Sequence, residues 1–152
     1  MTPEQALVHA VTVALQSPCA KSKRGVVIFD ASGALGFGFN GPPLPFRCDG
    51  SDACRAACGK VAVHAEDRAI RSAISLHFRH PAISPCDLLH VKVKDGHAVP
   101  SGPPNCWQCS RTILDAEIAG VWLLHEEGLR RYSAAEFHRL TLETCGLPVV
   151  LP

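Results

Sequence analysis

Apolar positions along the chain recur with two alternating periods. Leu7, Ala10, Val11 and Ala14 fall on one helical face, and Thr2, Pro3 and Gln5 supply a cap, a first helical position and a side chain that reaches back. Gly25 to Phe29 is a β-rich run, Asp30 to Gly33 supplies a turn, and Leu35 to Phe39 resumes a strand in which glycines alternate with large residues, which predicts a hairpin. A proline-rich loop follows from Gly41 to Phe46. A helix containing Ala65, Ala69, Ile70, Ala73 and Ile74 then runs to about Leu76. Leu88 to Val93 reads as a strand. After the breakers Pro100, Gly102, Pro103 and Pro104, a helix covers about Cys106 to Ala116, and Gly120 to Leu124 reads as a buried strand. Ser133 with Glu136 forms a capping box for a last helix ending near Gly146, and Val149 to Leu151 is a candidate final strand. The order α, β, β, α, β, α, β, α predicts an α/β fold with helices on both faces of a sheet.

Composition narrows this picture without redirecting it. A chain of 152 residues suits one core, and a single domain over 1–152 is expected. It is 47% apolar and 19% charged with a formal net charge of +1, which speaks against disorder and against a strongly charged partner. No stretch approaches the roughly 18 to 20 apolar residues of a membrane span, and MTPEQALVHA lacks the layout of a secretory signal, so a cytoplasmic protein is expected. In such a reducing compartment, eight cysteines point to metal ligation before disulfides.

The chemistry concentrates where two helices begin. Cys106 and Cys109 are three apart, so both sulfurs can reach one ion at about 2.3 Å, and the positive helix end favours thiolates. His64 and Glu66 would diverge by about 200° inside a helix, so they can serve one site only from a first turn. The helix must therefore start there. Three ligands, His64, Cys106 and Cys109, leave a fourth tetrahedral position for water, as in catalytic rather than closed zinc sites. Glu66 beside them is placed to take a proton from water and return it to a ring nitrogen and a departing amine. A lone C-x-x-C could instead be a redox pair or half of a zinc knuckle, and a lone H-A-E triplet carries little information.

Together, His64-Ala65-Glu66 and Pro104-Asn105-Cys106-Trp107-Gln108-Cys109 resemble the signature of the cytidine deaminase superfamily, H-x-E followed by P-C-x-x-C, in which the glutamate moves protons and does not bind metal. The resemblance covers most of the chain. It implies a three-layer α/β/α fold with a central mixed sheet of about five strands, and a catalytic Zn2+. Two features depart from the pattern. Asn105 separates Pro104 from Cys106, and about forty residues divide the two motifs, with Asp95 to Gly102 reading as an insertion at the mouth of the site.

Cys19, Cys48, Cys54 and Cys58 form a second constellation, in which Cys54 and Cys58 share a helical face. Four thiolates suit a closed structural zinc. The layout Ser17-Pro18-Cys19, Gly25 to Phe29, Phe39-Asn40-Gly41 and Cys48 is similar to the deoxycytidylate deaminase branch, some phage members of which carry a second zinc here. Buried free thiols are the alternative. Cys86 and Cys145 have no partner by spacing and read as core residues. The same resemblance implies that the Asn40 amide bonds the sugar or base and that the Ala65 N–H holds the base edge. Asn40 could equally be a turn residue tolerating a left-handed backbone. Lys23 and Arg24, with Lys21 beside them, and Arg111 are phosphate candidates, although exposed cations usually only solvate a face.

Three functions compete on these grounds. The preferred one is hydrolytic deamination of a free cytosine nucleotide, dCMP to dUMP. The second is deamination of cytosine or adenine within single-stranded DNA or RNA, or of another free base or nucleoside. Near-neutral charge and a single tyrosine speak against an extended polynucleotide groove. The third is a non-catalytic zinc-binding protein. A small-molecule nucleotide partner and a homo-oligomer are expected from the resemblance.

Overall fold

Alternation along the strands sends successive side chains to opposite faces of one mixed sheet, and helices cover both faces. A computed structural model describes residues 1–77 and 85–149. The elements are α1 (Pro3–Leu15), β1 (Lys23–Phe29), β2 (Ala34–Phe39), α2 (Asp52–Val61), α3 (Ala65–His77), β3 (Asp87–Lys94), β4 (His97–Val99), α4 (Trp107–Asp115), β5 (Gly120–His125), β6 (Gly128–Ser133) and α5 (Ala134–Thr144). The strand order is β2-β1-β3-β5-β6, with β4 pairing β3 beyond the end of β5. Only β3 and β5 run parallel, the remaining pairs being antiparallel. The three-layer architecture expected from the sequence is present, with β4 and β6 added. Among the described residues no helix is long and apolar enough to cross a membrane.

Two apolar layers follow from the pleat. Val26 and Ile28 of β1, Leu88 of β3, and Val121 and Leu123 of β5 face α3, α4 and α5, where they pack with Ala69, Ala73, Ile113 and Phe137. Val27, Phe29, Leu89, Val91 and Val93 face α1 and pack on Ala6, Ala10 and Ala14. α1 begins as its sequence predicts: Gln5 N donates to Thr2 Oγ1 at 3.3 Å, and Thr2 N donates to Gln5 Oε1 at 2.9 Å.

Glycines set how closely the helices sit. A Cβ on Gly25 would stand 2.2 Å from Ala10 O, and one on Gly38 would stand 2.1 Å from Ala65 O. The backbones of α1 and α3 therefore rest on the strands themselves, and this close seat is what the alternation of small and large residues in β2 provides. At the far end, Asp87 clamps three strands. Its carboxylate accepts from Trp122 Nε1 on β5 and from Arg131 Nε and Nη2 on β6, each at 2.7 Å.

Several expectations change. The segment Asp95 to Gly102 begins as a hairpin extension of the sheet, in which Asp95 (φ 51°) and Gly96 (φ 83°) turn the chain and β4 returns along β3, while Ser101 and Gly102 lie at the cavity as the insertion reading expects. β6 escapes a hydrophobic reading because Arg130 and Arg131 interrupt its apolar positions. Ser133 Oγ caps α5 by accepting from Glu136 N, but the Glu136 carboxylate lies 3.6 Å from Arg130, so the return half of the capping box is replaced by an ion pair. Cys86 is buried as expected, and burial pushes its thiol up to about 12. Cys145 is not in the core: it is the half-exposed C-cap of α5, and its thiol donates to Asn105 O at 3.5 Å. Val149 lies outside any strand, and the remainder of the candidate Val149 to Leu151 strand lies outside the described residues.

Candidate active site

His64 is placed by backbone pairing. Gly41 and Val63 exchange hydrogen bonds, Gly41 N to Val63 O at 3.1 Å and Val63 N to Gly41 O at 2.8 Å, which fixes the chain one residue before His64. α3 then starts, with Arg68 N donating to His64 O at 3.3 Å. The N–H groups of Ala65 and Glu66, in the first turn, are left without helical acceptors, and both residues line the cavity. The helix start demanded by His64 and Glu66 is thus observed. Arg68 anchors this turn by donating to Pro42 O at 2.8 Å while its guanidinium lies over Phe39.

The second motif arrives on α4. Cys106 is its N-cap, accepting from Cys109 N at 3.4 Å, and Cys109 is buried in the first turn. Cys106 Sγ and Cys109 Sγ are 2.8 Å apart, and they stand 3.4 and 3.0 Å from His64 Nδ1. Among the described residues these three form the one group of histidine, cysteine and carboxylate side chains whose ligand atoms all lie within 4.8 Å. A tetrahedral zinc with bonds of about 2.0 to 2.3 Å sets ligand–ligand edges of about 3.5 to 3.8 Å. The triangle is somewhat tighter than that, and it needs only a small opening to admit the ion. The donor set fits.

Electrostatics favour one proton on the cysteine pair. The bond from Cys109 is the main cause that lowers Cys106, despite burial, to about 5, with His64 adding to it. Cys109 moves upward because Cys106 holds the charge beside it, and because it is buried near Glu66. His64 is raised, chiefly by its bond to Cys106. A dication arriving at this triangle would compete with the protons carried by these three groups.

Around the triangle lies a cavity of about 430 Å³, walled by the α3 and α4 starts, β1, β3 and the segment after β4. Asn40 lines it and is 7% exposed, but most of its amide is already used. Oδ1 accepts from Arg24 N at 2.8 Å and from Ser17 Oγ at 2.9 Å, and Nδ2 donates one hydrogen to Ser22 O at 2.9 Å. One amide hydrogen remains. Asn40 does not have a left-handed backbone, so that reading is corrected: it is a buried clasp between the end of α1 and β1.

The cations separate clearly. Arg24 lines the cavity, as does Lys21. Lys23 points the other way, donating to Leu15 O at 3.2 Å and to Ser17 O, where it closes the end of α1. Arg111 does not line the cavity, and its guanidinium lies over Trp107. The sequence reading missed Lys92, which pairs directly across from Arg24 in the β1–β3 ladder and lines the same cavity. It also missed His90 and Ser101, which line the cavity as well. The spacing Leu88, His90, Lys92 on one strand face was the available signal.

Cys19, Cys48, Cys54 and Cys58 come together as two pairs. Cys19 Sγ lies 3.9 Å from Cys58 Sγ, and Cys48 Sγ lies 3.5 Å from Cys54 Sγ. Cys54 and Cys58 project from α2, and Ala20 N donates to Cys48 Sγ at 3.3 Å.

No family model and no curated protein matches the chain. Solved structures do. The dCMP deaminase of cyanophage S-TIM5 aligns over 80% of this chain and 82% of its own in the apo form, with 22% identity and a TM-score of 0.57. The same enzyme in complex with dCMP and dUMP gives a TM-score of 0.60 at 22% identity over 80% and 81% of the two chains. Cytidine deaminase from Burkholderia pseudomallei covers 90% of this chain and 96% of its own, at 20% identity and a TM-score of 0.63. The protein therefore has the cytidine deaminase fold.

Proposed function

We propose that the chain is a single-domain (1–152), zinc-dependent hydrolytic deaminase that converts a cytosine nucleotide, dCMP to dUMP, with release of ammonia. One observation carries the reading: His64, Cys106 and Cys109 converge from two helix starts, and Glu66 stands in the same first turn as His64 beside them. A closed structural site would not place an extra carboxylate and a cavity next to three ligands.

Zinc held there would supply Lewis acidity and make a nucleophile from water at neutral pH. Glu66 would accept one proton from the attacking water and pass it to N3 of the ring, then carry a second, released by the hydroxyl left on the ring carbon, to the departing amine. The free N–H of Ala65 holds the base edge opposite the reacting carbon, and the remaining Asn40 amide hydrogen reaches sugar or base. Arg24 and Lys92, adjacent on the sheet and without an ion-pair partner among the described residues, are the pair best placed for a phosphate. They support a nucleotide over a free base. Lys23 and Arg111 take no part. A second, structural zinc at Cys19, Cys48, Cys54 and Cys58, a homo-oligomeric state and a cytoplasmic location complete the proposal. Both sulfur pairs are already near the edge length of a tetrahedral zinc site.

The test is an ammonia-release assay on cytosine, cytidine, CMP, dCMP, adenine and guanine derivatives and a cytosine-containing oligonucleotide. Turnover of dCMP is expected, and Glu66→Ala should retain metal while losing turnover by about 10²- to 10⁴-fold. Conversion of the oligonucleotide alone would replace the substrate assignment. Zinc without turnover of anything would make the chain a binding protein.

A further inference from the structure

His90 is a polar side chain set among apolar ones. It belongs to the β3 series Leu88, His90, Lys92, which shares one face of the sheet and lines the cavity. Its neighbours across the ladders are Val26 on β1 and Leu123 on β5, neither of which offers a side-chain hydrogen-bonding group. The residue is 7% exposed. Glu66 stands beside it, with His90 Nε2 4.0 Å from Glu66 Oε1, which is beyond hydrogen-bonding reach, and no described residue bonds the ring. The imidazole therefore keeps its hydrogen-bonding capacity for whatever fills the cavity, and a ligand that left it unpaired would bind at a cost.

The order of groups along the cavity floor identifies the ligand atom. Arg24 and Lys92 face each other in the β1–β3 ladder two residues beyond His90, about 6.5 to 7 Å further along the strand. Neither forms an ion pair with Glu66 among the described residues, so the floor reads carboxylate, imidazole, cation pair. A pyrimidine nucleotide carries its groups in the same order. N3, which exchanges protons with Glu66 in the proposed reaction, is followed by the C2 carbonyl, and then by N1 with its sugar and phosphate. A carboxylate at N3 and two cations at the phosphate leave the carbonyl beside His90.

We propose that His90 is a specificity-determining residue that donates an N–H to the C2 carbonyl oxygen of a pyrimidine nucleotide. That oxygen has two lone pairs, so the Ala65 N–H and the imidazole can share it. The orientation of the base rests on the deaminase reading. Adenine placed with its amine at the same point has a C–H where cytosine has this carbonyl and leaves the imidazole unpaired, so His90 selects cytosine.

Two measurements on the zinc-loaded protein test the contact. The first compares kcat/KM for dCMP with that for its 2-thio analogue, whose sulfur is a weak acceptor. The unsubstituted protein should favour dCMP, and His90→Leu should lower kcat/KM for dCMP by about tenfold or more while changing the analogue much less, so that the preference collapses. His90→Gln, which keeps an N–H donor, should retain part of the preference and keeps this arm decisive should His90→Leu fold poorly. Equal losses on both substrates, or no loss on either, would overturn the contact and leave the deaminase reading standing. The second measurement is calorimetric binding of dUMP, which has the same carbonyl and needs no turnover. Its Kd should weaken by about tenfold or more in His90→Leu and by less in His90→Gln. An affinity indifferent to both variants would overturn the proposal even in an active enzyme. A protein that turns over nothing but binds dUMP through His90 would refute the deaminase reading and support the contact, whereas one that neither turns over dCMP nor binds dUMP would overturn both.

Discussion

The two cysteine clusters offer similar donor atoms on different supports. His64, Cys106 and Cys109 sit at the starts of two helices that press buried faces onto the sheet, and α3 is seated by Gly38 against the strand itself. Cys19 and Cys48 come from loops, and Cys54 and Cys58 from α2, a helix with no buried residue. The first set forms one compact triangle, and the second stops at two pairs. Where the fold has already ordered the ligands, a metal adds chemistry. Where it has not, a bound metal would also have to supply the ordering, and its binding energy would be folding energy for the loop.

The largest expected difference is in metal dependence. Cys106→Ala should lose one zinc equivalent and all measurable turnover while leaving the unfolding midpoint nearly unchanged. Cys54→Ala should lose the other equivalent, retain zinc-dependent turnover and lower the thermal midpoint, as metal analysis beside calorimetry would show. A wild-type content near one zinc per chain would remove the second site and with it this half of the contrast.

A smaller effect compares the supports. Leu88→Ala empties a fully buried position beneath α3 and α4 and should cost about 2 to 5 kcal/mol in a denaturant titration. Val61→Ala in α2, which is 57% exposed, should stay within about 0.5 kcal/mol. Equal costs would show that α2 is as firmly held as α3.

The smallest effect is in acid. Burial by itself would raise Asp87, but the Arg131 and Trp122 bonds outweigh it and hold its carboxyl below the usual carboxylate range. The folded value lies below the unfolded one, so the contribution is complete above about pH 4 and disappears as pH falls through the folded value. Wild-type stability should therefore drop more steeply below about pH 4 than that of Asp87→Asn, and pH-dependent urea midpoints would measure the gap.

Much of the site was legible because its signals are local. The cap at Thr2, the helix start required by His64 and Glu66, and the three-residue step from Cys106 to Cys109 depend on neighbours in the chain, and all appear in the structure. The misjudged residues are those whose role depends on direction. Lys23 and Arg24 are adjacent, yet alternation on β1 sends one to the end of α1 and the other into the cavity. The Asp95-Gly96 turn was a readable hairpin signal, but a three-residue β4 is too short to show a period.

The sequence by itself determined the order of elements, the layers they form and the four residues at the centre of the site, because spacing along a helix or strand is fixed by backbone geometry. Only the tertiary structure decided which cations share the cavity, that the Asn40 amide is largely spent on its own chain, and that His90 and Ser101 line the same cavity as Glu66. Those relations are set by strand register and by the approach of segments tens of residues apart, and no local pattern records them.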